Sequence, residues 1–106
     1  MKIHDDVKAV GVKNLEPVDV ICFGSPCQGL SAAGLRRGFA DERSVLFFQA
    51  TRIIKELKPT FAVWENVPGS LSSNGGRDFA VALAALRECG ACDIAWRVID
   101  ASSFGV

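Results

Sequence analysis

Val18-Asp19-Val20-Ile21-Cys22-Phe23-Gly24-Ser25-Pro26-Cys27-Gln28-Gly29-Leu30-Ser31 is the stretch that decides the fold of this 106-residue chain. Its first six residues form a short apolar run of strand length, rich in β-branched side chains, and read as a buried strand. The run must stop at Gly-Ser-Pro. Gly24 permits unusual backbone angles, and Pro26 lacks an amide hydrogen and holds Ser25 extended. Cys27 therefore stands just past a strand end, the edge of an open α/β sheet where ligands bind. A thiol there is well placed for nucleophilic chemistry. The alternative is a small buried hydrophobe, the usual fate of a free cysteine. Cys22, inside the run, fits that description. Cys27, among Pro, Gln, Gly and Ser, does not.

Phe61-Ala62-Val63-Trp64 repeats the pattern, ending in Glu65-Asn66-Val67-Pro68-Gly69. If the two strands are parallel neighbours, Cys27 and Glu65 leave the sheet on one edge. A thiol beside a carboxyl group is a chemical pair, not a packing pair.

Pro26-Cys27-Gln28 followed by Glu65-Asn66-Val67 resembles the catalytic motif pair of the cytosine-5 DNA methyltransferases. Between them, Gly38 to Phe48 resembles that family's loop-and-helix segment, with Asp41-x-Arg43-x-x-Leu46. The closing Asp100 to Val106 resembles the approach to the next family motif. The similarity covers nearly the whole chain.

The resemblance implies transfer of a methyl group from S-adenosylmethionine to cytosine C5 in DNA. Cys27 would attack C6, which makes C5 enamine-like. Glu65 would hold and protonate N3. The target cytosine must leave the duplex to reach the thiol. By the same resemblance Asp6, Val7, Gly24, Pro26 and Leu46 would line the cofactor side. Ser25 (through its carbonyl), Asn66 and Val67 would frame the flipped base. Gln28 and Ser31 would face the DNA, and Arg43 would set the loop. For Asp6 the plain alternative is a loop or capping residue, and for Asn66 and Ser31 ordinary turn residues.

Two family features are not found. No Gly-x-Gly of the cofactor turn occurs, and the chain stops before the family's Pro-Gln-x-Arg-x-Arg. The expectation is the central part of a catalytic domain, residues 1–106, without the N-terminal cofactor loop or the C-terminal target recognition domain. Such a piece would be inactive alone and would need the missing segments in cis or in a partner chain. An RNA cytosine methyltransferase, or an inactive remnant serving assembly, are the alternatives.

In chain order, Gly11 to Pro17 is a connector and Val18 to Gly24 a strand. Gln28 to Arg43 is a long loop carrying Arg36 and Arg37, with the length of a functional lid. Asp41 or Ser44 would cap a helix that runs to about Lys58. Its apolar face is Leu46, Phe47, Ala50, Ile53, Ile54 and Leu57. Thr60 to Glu65 is a strand and Val67 to Gly76 a loop. A helix follows from about Arg77 to Cys89, with Phe79, Ala82, Leu83 and Leu86 inward and Gly90 as its C-terminal cap. Asp93 to Asp100 alternates like a third strand, and Lys2 to His4 like the tail of another. The expected class is α/β: a partial Rossmann-like methyltransferase domain with three to four mostly parallel strands and crossover helices.

The chain carries 12 basic and 12 acidic residues and no basic run, a weak footprint for a free-standing nucleic-acid binder. Duplex DNA is still the partner that the resemblance implies. No apolar run approaches the ~18 residues that span a bilayer. Four cysteines and no export signal point to a reducing cytoplasm, beside the nucleoid if the host is bacterial. Cys89-Gly90-Ala91-Cys92 has redox spacing but follows a helix, at its negative end. Helix-end packing is therefore preferred to a metal or redox role. A thiol hydrolase would need a histidine, and His4 is the single one.

Overall fold

A computed structural model describes residues 3–27, 42–91, 93–100, 102 and 105. Strand β1 is Val20–Gly24, helix α1 is Glu42–Leu57, strand β2 is Phe61–Glu65 and helix α2 is Arg77–Glu88. The β1–α1–β2 order puts a helical crossover between two parallel strands, the basic unit of an α/β fold. Their register pairs Val20 with Phe61, Cys22 with Val63 and Gly24 with Glu65.

Partners in register share a sheet face. Phe23 and Trp64 turn inward and stack, ring centroids 6.2 Å apart. Phe47 of α1 meets Trp64 at 5.0 Å and Phe23 at 6.4 Å. Such aromatic pairs each contribute about 0.5–1.5 kcal/mol beyond their buried area. Phe47, Cys27 and Ala82 are fully buried and form the centre of the core, with Val81, Ala85 and Leu86 of α2 packed around them. The opposite sheet face is open: Val20, Cys22, Phe61 and Val63 are all exposed.

The helices follow their periodicity. Phe47, Ala50, Ile53 and Ile54 are buried on α1 as expected, and Leu57 is half-buried, but Leu46 is exposed. Ser44 does not cap the helix. It lies inside α1, fully buried, because the helix already runs from Glu42. At the other end Lys58 takes a left-handed conformation, φ 49°, its amide donating to Ile54. Pro59 then prevents continuation. Helix α2 ends in a Schellman motif, as the glycine there predicts. Gly90 has φ 101°, its amide donates to Arg87 and that of Ala91 to Leu86. The loop after β2 contains two short 3₁₀ turns, Pro68–Leu71 and Ser73–Gly76.

Among the described residues the sheet has two strands, not three to four. Residues 93–100 alternate like a strand but pair with none. Alternation specifies a face, whereas a strand also needs a neighbour to accept its amides. Ile3 and His4 likewise form no strand.

Candidate active site

Both strands end at the same level, so their following residues leave one carboxyl edge together. After β1 come Ser25, Pro26 and Cys27; after β2 come Asn66 and Val67. The two exits are tied. The Ser25 carbonyl accepts from Asn66 Nδ2 at 2.8 Å and from Trp64 Nε1 at 3.2 Å. Asn66 Oδ1 accepts from the Val67 amide at 2.8 Å, which sets the direction of the chain out of β2. Ser25 is buried, and its hydroxyl has no hydrogen-bond partner among the described residues.

Glu65 is exposed at this edge, directly over Gly24. A Cβ on Gly24 would lie 3.4 Å from Glu65 Oε2. Cys27 is opposite in character. It is fully buried, its Sγ donating a weak, long hydrogen bond to the Ser70 carbonyl at 3.8 Å. Burial pushes its thiol above the ordinary 9.0, and the nearby negative charge of Asp78 adds to the effect. The expectation for the two inner cysteines is thus reversed: Cys22 is exposed and Cys27 is in the core. Cys22 lies on the sheet face that no described element covers, whereas the chain after Gly24 turns back beneath α1 and α2.

A cleft of about 140 Å³ opens beside this edge, lined by Trp64, Asn66, Val67, Ser70, Trp96 and Arg97 among others. Trp96 meets Phe79 edge-on, centroids 5.2 Å apart, which brings the unpaired segment 93–99 to the site. A larger cavity of about 790 Å³ lies at the opposite, amino edge, between Lys58, Phe61, Cys89 and Ile94. It includes neither Cys27 nor Glu65. There Cys89 donates its thiol to the Ala85 carbonyl at 3.2 Å, as helix-end packing requires. Cys92 lies outside the described residues.

The residues expected around a cofactor divide. Gly24 and Leu46 are exposed and Pro26 half-buried, Gly24 and Pro26 at the carboxyl edge and Leu46 near the start of α1. Asp6 instead caps the turn Val7–Ala9, accepting from the Lys8 amide at 2.9 Å. That turn docks on the later half of α1, where Arg52 donates to the Val7 and Val10 carbonyls at 3.1 and 2.6 Å and pairs with Glu56. No described contact brings Asp6 or Val7 to Gly24. Gln28, Ser31, Arg36, Arg37 and the side chain of Arg43 lie outside the described residues.

Three participants were not anticipated. Trp64 supports the Ser25 carbonyl, and Ser70 and Asp78 surround the thiol. An indole in a strand reads as core, and nothing in its spacing announces where its N–H points. The acid in Arg77-Asp78-Phe79 could have been noted, since it opens a helix otherwise apolar on its inner face.

The family model of the C-5 cytosine-specific DNA methylases matches residues 1–106. The chain belongs to this family. Among its relatives are the type II methyltransferase M.BsuFI of Bacillus subtilis, 36% identical over 99% of this chain and 25% of its own length. M.Bsp6I of a Bacillus species is 38% identical over 97% of this chain and 33% of its own. The orphan methyltransferase M.SPRI of Bacillus phage SPR is 42% identical over 80% of this chain and 19% of its own. The chain thus spans a third or less of the length of these relatives. No described helix is long and apolar enough to cross a membrane.

Proposed function

We propose that the chain is the central catalytic segment of a DNA cytosine-5 methyltransferase, with Cys27 as nucleophile and Glu65 as the acid at N3. The observation that carries this reading is the register Gly24↔Glu65, which ends both motif-bearing strands at one edge. S-adenosylmethionine, when bound, supplies the methyl group, and Gly24, Pro26 and Leu46 would hold it. Asp6 and Val7 could join them only if the Asp6 cap opened.

The remaining steps belong to this chain. The Cys27 thiol loses its proton, and its sulfur forms a bond to C6 of a cytosine taken out of the duplex. The C5–C6 π electrons shift to C5, while Glu65 donates a proton or hydrogen bond at N3 to draw charge from the ring. After C5 has gained the methyl group, its proton passes to water, the electrons of the C5–H bond re-form the C5–C6 double bond, and the sulfur leaves as the thiolate of Cys27. Asn66 and Val67 would frame the base from the β2 side. Gln28, Ser31 and Arg43 would meet the DNA. Because Cys27 is buried, the base can reach it only when the cover around Ser70 parts from the sulfur.

A chimera tests this. The matching quarter of M.BsuFI is replaced by this chain, and its products are read on duplex DNA and on tRNA. Cytosine methylation of duplex DNA that vanishes with Cys27→Ser is the expected result. Methylation that survives Cys27→Ser, or that falls on tRNA instead, would overturn the reading.

A further inference from the structure

Asp78 is an acid buried to 1% exposure, which is costly unless its carboxyl group is hydrogen-bonded or paired. It stands in the first turn of α2, where the helix dipole favours an anion. Its Oδ2 accepts from the Ser73 hydroxyl at 2.6 Å. Ser73 lies two residues beyond the turn Pro68–Leu71, whose Ser70 is buried and presents its carbonyl to Cys27. Four residues along the same face of α2, Ala82 packs in the cluster that encloses Cys27. The nucleophile's cover and the acid are therefore parts of one unit.

We propose that Asp78 is a positioning residue for Cys27, anchoring the loop of residues 68–76 over the sulfur through Ser73. The inference rests on the reading of Cys27 as nucleophile and adds what controls its release. The loop begins at the end of Glu65-Asn66-Val67, so the covered thiol and the second motif are joined by one stretch of chain. Among the described residues, the other elements around the sulfur bring no comparable charge. Phe47 of α1 and Ala82 of α2 are apolar, Ser70 offers a neutral carbonyl, and Glu65 at the end of β2 points to solvent. Among the described residues, Asp78 is the charged group that acts on Cys27, and it disfavours the thiolate. While the tether holds, the thiol stays covered and protonated. Release of the loop uncovers it, while Asp78 stays on α2 beside the cluster that holds Cys27.

The test is alkylation of Cys27 by iodoacetamide in the 106-residue chain, followed by peptide mass spectrometry from pH 6 to 10. Asp78→Asn keeps an acceptor for Ser73 and removes the charge. It should move the pH midpoint of Cys27 alkylation downward and raise the rate at neutral pH several-fold. Ser73→Ala keeps the charge and removes the tether. It should raise the rate several-fold across the whole range. If Asp78→Asn leaves midpoint and rate unchanged while circular dichroism shows an intact fold, the inference fails. If Asp78→Asn does not fold, Ser73→Ala decides: an unchanged rate sinks the inference and a faster one sustains it. Alkylation reads only the seat of the thiol. The loss of methylation with Cys27→Ser in the chimera can therefore fail separately.

Discussion

Gly24 and Glu65 are register partners at the last rung of the parallel sheet, and the Glu65 carboxylate lies beside the space a Gly24 side chain would occupy. This contact joins the strand that delivers Cys27 to the one that delivers the acid. A methyl group on Gly24 would touch Oε2 at 3.4 Å, an ordinary contact. Gly24 is not among the residues with positive φ, so alanine suits its backbone. Gly24→Ala should therefore raise stability by about 0.5–1 kcal/mol, seen as a higher urea midpoint. It should also lower methylation by the chimera, because the methyl takes space beside Glu65. Full activity in this variant would show that the carboxylate works elsewhere.

Asn66 links the two strand exits through the Ser25 carbonyl. Asn66→Ala removes this bond and leaves Trp64 as the remaining described donor to that oxygen. The expected cost is about 0.5–1.5 kcal/mol in denaturant unfolding. Asn66→Asp should cost at least as much, since a carboxylate would face a carbonyl oxygen. Equal stability of all three proteins would mean that the strut contributes nothing.

The Cys27 thiol titrates above its ordinary 9.0, first because it is buried and second because of Asp78. The folded chain therefore holds this proton longer than the unfolded one. The stabilisation is fully present below the unfolded value and is lost as pH rises through the folded one. Stability should fall from pH 9 upward, and Cys27→Ala should flatten that alkaline loss. Urea midpoints from pH 7 to 10 for both proteins check this. An identical alkaline slope would exclude Cys27 as its source.

Lys58 closes α1 with φ 49°, a conformation that costs a side-chain-bearing residue about 1–2 kcal/mol. Lys58→Gly relieves it and keeps the amide that donates to Ile54. After the entropy glycine loses on folding, a net gain of about 0.5–1 kcal/mol is expected. Thermal melting reads it, and a lower melting temperature would show that the Lys58 side chain contributes more than its backbone costs.

Much of this fold is legible in order. The apolar runs stop at Gly24 and Glu65, Pro59 ends α1, and Gly90 closes α2, because each is a local backbone rule. The candidate pair follows from the same punctuation: two runs that end alike mark two chain segments leaving one sheet edge. The residues around the pair are less legible. Leu46 shares the periodicity of the α1 core yet is exposed, although Ser44 and Phe47 on either side of it are fully buried. Segment 93–100 carries a strand's alternation without a partner strand.

By itself the sequence determined where strands and helices stop, which side chains share a face, and which motifs mark the family. Those properties depend on dihedral limits and on periods of two and 3.6 residues, which are local. Only the tertiary structure decided that Cys22 faces outward while Cys27 lies in the core. It also decided that Asn66 spans to Ser25 and that Asp78 is buried and held by the Ser73 hydroxyl. Burial, hydrogen-bond partners and electrostatic neighbours are set by what packs across tens of residues, and no local pattern records that.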